Sequence, residues 1–154
     1  MALVTVFFRA AAITGCGLIL LACGDSGLGP DFDPAVEAFV ELMNDHRVGV
    51  GCAALEWNGF VAEVAQDHSR DMVQRDFFAH ENPDGASPFD RLTAAGIGYS
   101  RAAENIAWGY GSAASVLAGW LDSPGHRSNI ENCSLTQHGV GLLETHWTHV
   151  FITP

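Results

Sequence analysis

The C-terminal stretch Gly139-Val140-Gly141-Leu142-Leu143-Glu144-Thr145-His146-Trp147-Thr148-His149-Val150-Phe151-Ile152-Thr153 decides the fold class. It holds two strand-like runs, Gly139 to Leu143 and His146 to Thr153, separated by a tight turn, and so reads as an antiparallel hairpin. The second run is crowded with β-branched and aromatic side chains, which suit a pleated surface. Trp147 and Phe151 are four apart, share one face of a strand, and are expected to pack inward. His146 and His149 are three apart, point to opposite faces, and cannot chelate one ion together.

Upstream of the hairpin the period changes to that of helices. Asp33 caps and Pro34 opens a first helix carrying Val36, Phe39, Val40 and Met43, which Gly49 and Gly51 end. A second helix is expected from about Gly59 to Phe77, with Val61, Val64, Ala65, His68 and Met72 on one face. His68 on that face reads as a hydrogen-bonded core residue. A turn-rich stretch follows, His80-Glu81-Asn82-Pro83-Asp84-Gly85. Ser87-Pro88 starts a short helix stopped by Gly96. Glu104 to Trp108 is apolar and fits either a helix or a strand. Ser112 caps a helix with Val116, Leu117, Trp120 and Leu121, and Ser123-Pro124 opens a brief turn holding His126. Helices first and a hairpin last predict an α+β sandwich, not a parallel α/β sheet. Trp57, Trp108 and Trp120 are expected in the core.

The chain has 154 residues, enough for one domain. Hydrophobic residues make up 48% and charged residues 16%, so a core can form. Seven basic residues, all arginine, face 18 acidic ones, a formal charge of -11. That balance argues against nucleic-acid binding and against electrostatic docking on an anionic lipid surface.

The N-terminus reads as an export signal. Arg9 is the only charge before Asp25, and Ala10 to Ala22 is an apolar run too short to span a bilayer comfortably. Leu20-Leu21-Ala22-Cys23 resembles a bacterial lipobox, with cleavage before Cys23 and lipidation of that cysteine. Residues 1–22 are thus expected to form a lipoprotein-type signal peptide and 23–33 a tether, with a domain over 34–154. Plain secretion and an uncleaved anchor are the alternatives. Cys16 falls in the signal, which leaves Cys52 and Cys133 for the domain. An even pair in an oxidising compartment reads as a disulfide, the alternative being two buried thiols. It would close a loop of about 80 residues, worth roughly 4 kcal/mol in the chain-entropy account.

Two histidines at element ends, His80 and His126, stand out as candidates for chemistry. Glu104 lies among Ala102, Ala103, Ile106, Ala107 and Trp108, where an acid is costly to bury without partners. Two imidazoles would supply them, and the set could also hold a divalent metal. The competing reading is a pair of ordinary surface histidines. No HExxH, GxSxG, Walker or GxGxxG pattern occurs. Ser123 reads as the cap of the turn at Pro124 in preference to a nucleophile beside His126.

Together these pieces match a family. His80-x-Asn82-Pro83-Asp84-Gly85, Glu104-Asn105-Ile106-Ala107 and Trp120-x-x-Ser123-Pro124-Gly125-His126-Arg127-x-Asn129-Ile130 resemble the bacterial branch of the CAP superfamily. That superfamily is also called SCP-like, and includes cysteine-rich secretory proteins, antigen 5 and class-one pathogenesis-related proteins. Asn44-x-x-Arg47, Leu55-x-Trp57, Ala65-Gln66-x-His68-Ser69-x-Asp71-Met72, Gly139-Val140-Gly141 and Trp147-Thr148-x-x-Phe151 also look like it, so the resemblance spans residues 36 to 153. It implies a three-layer α-β-α sandwich with a central antiparallel sheet and a cleft built on His80, His126 and Glu104. The family's second acid falls on Ser123 here, with Asp122 beside it. A divalent metal such as zinc on His80 and His126 is what the resemblance implies, with Glu104 as a candidate acid/base.

Three functions compete. The first is an exported, lipid-anchored, non-enzymatic binding module of the cell envelope, with a metal-capable cleft and an extracytoplasmic ligand. The second is a metal-dependent hydrolase of peptide or cell-wall material, supported by the histidine and carboxylate set alone. The third is a lipid or sterol carrier, which needs an apolar groove.

Overall fold

A computed structural model describes residues 33–154. The expected signal peptide, Cys16, the lipid site Cys23 and the tether up to residue 32 lie outside the described residues.

Capping chemistry sets most helix starts. In α1 (Pro34–Gly49) the Asp33 carboxylate accepts from the Ala35 N–H at 2.8 Å, and Pro34 occupies the first turn, where no amide donor is needed. Asn58 caps α2 (Gly59–Arg75) by accepting from the N–H groups of Phe60 and Val61. That helix stops two residues before the expected Phe77, because Asp76 turns left-handed at φ 53°. Ser87 and Asp90 form a reciprocal capping box on α3 (Pro88–Ala94), and Ser112 with Ser115 does the same on α4 (Ala113–Asp122). The chain turns at Ser123 directly into α5 (Pro124–Ile130).

The segment that fitted either state, Glu104 to Trp108, is strand. It belongs to β2 (Arg101–Trp108), which pairs antiparallel with β4 (His146–Thr153). β4 also pairs antiparallel with β3 (Gln137–Leu143), the expected hairpin. A two-residue strand β1 (Glu56–Trp57) runs parallel to β3, giving the order β1-β3-β4-β2. The central sheet is therefore antiparallel except at this one short edge. Two residues of strand carry too little pattern to be read from sequence.

Strand β4 lies between β3 and β2 and is buried on both faces along most of its length, which suits its aromatic and β-branched side chains. Trp147 and Phe151 point to a core shared with Phe39 of α1 and Val116 and Trp120 of α4. Phe39 meets Trp120 edge to face, with ring centres 5.3 Å apart. Val150 and Ile152 point the other way, onto Val61, Val64 and Ala65 of α2 and Leu92 of α3. Helices thus cover both faces, and the three-layer α-β-α sandwich follows. On β3, Gly139 and Gly141 face α2, whose backbone at Ala62 and Gln66 comes close enough to leave no room for a Cβ.

Cys52 and Cys133 form the expected disulfide across 81 positions. Beside it Arg47 is buried, and its guanidinium donates to the carbonyl oxygens of Ala53, Ile130, Asn132 and Leu135. One side chain therefore ties the end of α1 to the chain on both sides of Cys133.

Trp120 and Trp147 are buried and Trp57 is half-buried, but Trp108 is 62% exposed. The expectation of a core Trp108 is corrected. It is the last residue of β2, at a corner of the sheet where no helix covers it.

Candidate functional site

Strand β2 is a sheet edge, and the candidate residues collect on it from both helix layers. Glu104 pairs in register with Val150, so its side chain emerges on the α2 face. There it is almost wholly buried, its side chain 2% exposed. One carboxylate oxygen accepts from His80 Nδ1 at 2.8 Å and the other from Arg91 Nη2 at 2.6 Å. The sequence led us to expect two imidazoles as the partners of this acid. The structure supplies one imidazole and one guanidinium.

Arg91 also organises the loop that carries His80. Its Nη1 donates to the carbonyls of His80 and Ala86, at 2.8 and 3.1 Å. Asn82 closes the same loop from inside, its side-chain oxygen accepting from the N–H groups of Asp84 and Ala86. The motif His80-x-Asn82-Pro83-Asp84-Gly85 is thus a rigid turn that holds an exposed imidazole against a buried carboxylate. Because the carboxylate accepts, Nδ1 carries the proton and Nε2 keeps the lone pair in the neutral ring.

His126 reaches β2 from the opposite layer. Asn105 donates its side-chain amide to the His126 carbonyl at 3.1 Å, and Asn129 donates to Asn105 Oδ1 at 2.8 Å. The half-buried His126 ring lies tilted beside Trp120, centroids 6.4 Å apart. Burial, and then the nearby His80, hold its pKa below the ordinary imidazole value. Adjacent residues 104 and 105 of one strand therefore anchor the two histidines, which are 46 positions apart in the chain.

The remaining sequence candidates sit as follows. Ser123 occupies the cap position of α5, but its hydroxyl makes no capping bond. Asp122 is exposed at the end of α4. Among the described residues, no Ser, Thr or Cys side chain hydrogen-bonds to the imidazole of His80 or of His126. His68 is buried as expected, with Nε2 3.0 Å from the Ala79 carbonyl, just before His80, and burial lowers its pKa. A polar pocket of about 370 Å³ adjoins Arg91, lined also by His68, Asp71 and Asn82. A larger groove of about 510 Å³ over β3, lined by Val36, Ala62 and Leu142, contains neither His80 nor His126.

Two residues were missed from sequence. Arg91 had a usable signal, since a buried acid calls for a cation, and one stands 13 residues before Glu104. His138 had none. It lies in the core with its Nδ1 2.9 Å from His149 Nε2, one ring donating to the other.

Among the described residues, no group of three His, Cys, Asp or Glu side chains is placed to hold a metal ion. The fit to a metal therefore rests on two imidazoles. Glu104, with both oxygens engaged, would orient His80 without itself coordinating. Replacing Glu104 with Gln tests that role. The amide keeps one acceptor for Arg91 and presents NH2 to His80, so the imidazole is expected to move its proton to Nε2. Nitrogen-15 NMR of the imidazole reads that inversion directly. Denaturation is expected to show a loss of about 2 kcal/mol for the weakened charged hydrogen bonds.

The family model described as the cysteine-rich secretory protein family, CAP, matches residues 40–151. The chain is similar to the uncharacterized protein YkwD of Bacillus subtilis (strain 168), 39% identical over 115 residues, 73% of this chain and 45% of that protein. It is similar to the same degree, 39% over 113 residues, to the uncharacterized membrane protein YlbC of that organism, covering 73% of this chain and 33% of YlbC. The chain thus spans less than half the length of these curated relatives. Among solved structures it resembles an extracellular protein containing a SCP domain from Bacillus anthracis. The TM-score is 0.76 and the identity 34%, over 78% of this chain and 40% of that one. An outer surface protein of Borrelia burgdorferi shares the fold alone, with TM-score 0.72 and 19% identity over 76% of this chain and 90% of that one.

Proposed function

Because this chain belongs to the cysteine-rich secretory protein family, CAP, we propose that it acts outside the cytoplasm as a binding module whose cleft takes a divalent metal on His80 and His126. The observation that carries this reading is the chain from Arg91 through Glu104 to His80, which fixes one imidazole nitrogen and leaves Nε2 to coordinate. A carboxylate behind a histidine raises its basicity and sets its orientation, the support usual for a metal-ligating imidazole. His126, whose pKa is held down by burial, is the second ligand. Two imidazoles and water suit zinc, which when bound supplies Lewis acidity.

The location is read from three features. The N-terminal stretch reads as a lipoprotein-type signal with Cys23 as the anchor. The Cys52–Cys133 disulfide suits an oxidising compartment. The B. anthracis relative is described as extracellular. Among the described residues no helix is long and apolar enough to cross a membrane, and the proposed membrane tie is a lipid on Cys23. A binding role is preferred to hydrolysis because Glu104, engaged on both oxygens by His80 and Arg91, is not free to serve as the general base that hydrolysis needs.

Elemental analysis of the purified protein after zinc loading and dialysis tests the metal. About one equivalent of zinc is expected in the wild type and almost none in a His80→Ala/His126→Ala double variant. Equal zinc in both overturns the site.

A further inference from the structure

Trp108, the tryptophan left out of the core, does not stand alone. It is directly opposite His146 in the β2–β4 register, and the two rings are stacked, 17° from parallel with centroids 5.5 Å apart. Phe78, just past the end of α2, is 46% exposed and leans toward Trp108 with centroids 6.3 Å apart. Single exposed apolar side chains are ordinary on a protein surface, but Trp108 with a ring on either hand, Phe78 and His146, forms a patch at a sheet corner. His146 braces one side of the indole, so a ligand meets a ring that is already held. The patch adjoins the cleft at both ends of its covalent frame: Phe78 is two residues before His80, and Trp108 is four residues after Glu104 on the same strand face.

Charge selects the occupant. An aromatic face carries negative electrostatic potential and attracts ammonium and guanidinium groups. Formal charge on the chain is -11. Of the arginines in the described residues, Arg47 and Arg127 donate to backbone carbonyls, and Arg70, Arg75 and Arg91 pair with carboxylates. Arg101 stands at the opposite end of β2 from Trp108. Glu144, exposed at the hairpin tip, lies next to Thr145, whose carbonyl accepts from the Gly109 N–H beside Trp108. Glu81, also exposed, follows His80. An anionic lipid surface would be repelled by this field, and a basic polypeptide drawn to it.

We propose that Phe78, Trp108 and His146 form a platform on which an arginine or lysine side chain of a basic partner polypeptide docks. This rests on the binding-module reading and names the partner class, while leaving the metal question separate.

The whole mature chain is titrated with a short capped peptide of alternating glycine and arginine, and with the same peptide carrying citrulline, which has nearly the same shape without the charge. The Trp108 indole N–H resonance and tryptophan emission report binding. Saturable binding is expected to weaken about tenfold on Trp108→Ala, by a similar factor with citrulline, and to recover in part with Trp108→Phe. Trp108 is exposed, so the variants are expected to keep the wild-type circular dichroism spectrum. The His80→Ala/His126→Ala variant is expected to bind the peptide as the wild type does, which keeps failure of the metal site distinct from failure of the platform. Equal affinity of wild type and Trp108→Ala overturns the proposal, as does equal affinity for the citrulline peptide. A neutral oligosaccharide that shifts the Trp108 resonance where the arginine peptide does not also overturns it.

Discussion

Gly141→Val is expected to cost more than about 3 kcal/mol and to leave little folded protein at 37 °C, as read by urea denaturation and by the yield of soluble, disulfide-bonded chain. A Cβ at Gly141 would lie 2.3 Å from the amide nitrogen of Gln66 and 2.4 Å from its Cα and from the carbonyl carbon of Ala65. These are backbone atoms of α2, so no side chain can swing aside. The helix must lift from the sheet, opening the contact of Val61, Val64 and Ala65 with Val150 and Ile152. Lifting also breaks the bonds from Ser69 Oγ to the Gly141 carbonyl and to Thr148. Overpacking a core typically costs 1–3 kcal/mol, and a backbone clash belongs at or above the top of that range. Gly125→Ala is the control. It is a helical position with nothing within 4 Å of the added Cβ, and is expected to be neutral or to gain up to about 1 kcal/mol.

Acid is expected to destabilise the domain more steeply than its surface carboxylates alone would. His138 and His149 are both fully buried and share one hydrogen bond. Burial, with Arg47 adding repulsion, pushes the His138 pKa down to about 3. Burial first, then His138 and Arg47, hold His149 well below the ordinary value. In the unfolded chain both imidazoles take up a proton near pH 6.5. The unfolded state therefore binds more protons between pH 6.5 and 3, and unfolding becomes easier as the pH falls through that window. The contribution is fully present above pH 6.5. Each such imidazole is worth about 1.4 kcal/mol per pH unit, and the pair titrates as a coupled unit. Urea midpoints at pH 7.5, 6, 5 and 4.5 are expected to fall with a slope of about two protons beyond the carboxylate contribution. A His138→Leu/His149→Leu double variant is expected to flatten that slope. An unchanged slope in the double variant would show that the pair is not the source.

The sequence made local rules visible and left distant pairings dark. Asp33-Pro34, Ser87-Pro88 and Ser112 marked helix starts because capping is a matter of neighbouring residues. The hairpin was legible because β4 is crowded with β-branched and aromatic side chains and follows a tight turn. Strand β1 was not, because only its pairing with β3 makes two residues a strand. His80, Glu104 and His126 could be named from their motif. That Arg91 supplies the second partner of Glu104 depends on where α3 lands, and α3 carries no sign of it beyond one arginine. Trp108 misled because hydrophobicity says what prefers burial and not whether the sheet extends far enough to provide it. His138 falls just before the expected strand Gly139 to Leu143, and only the longer β3 places its ring diagonally against that of His149.

A zinc titration of the mature protein, followed by nitrogen-15 NMR of the histidine side chains, tests the cleft most directly. The Nε2 resonance of His80 and the ring of His126 are expected to respond together and saturate near one equivalent, while the buried rings of His68, His138 and His149 stay still. Response of some other histidine, or none from His80 and His126, would contradict this expectation.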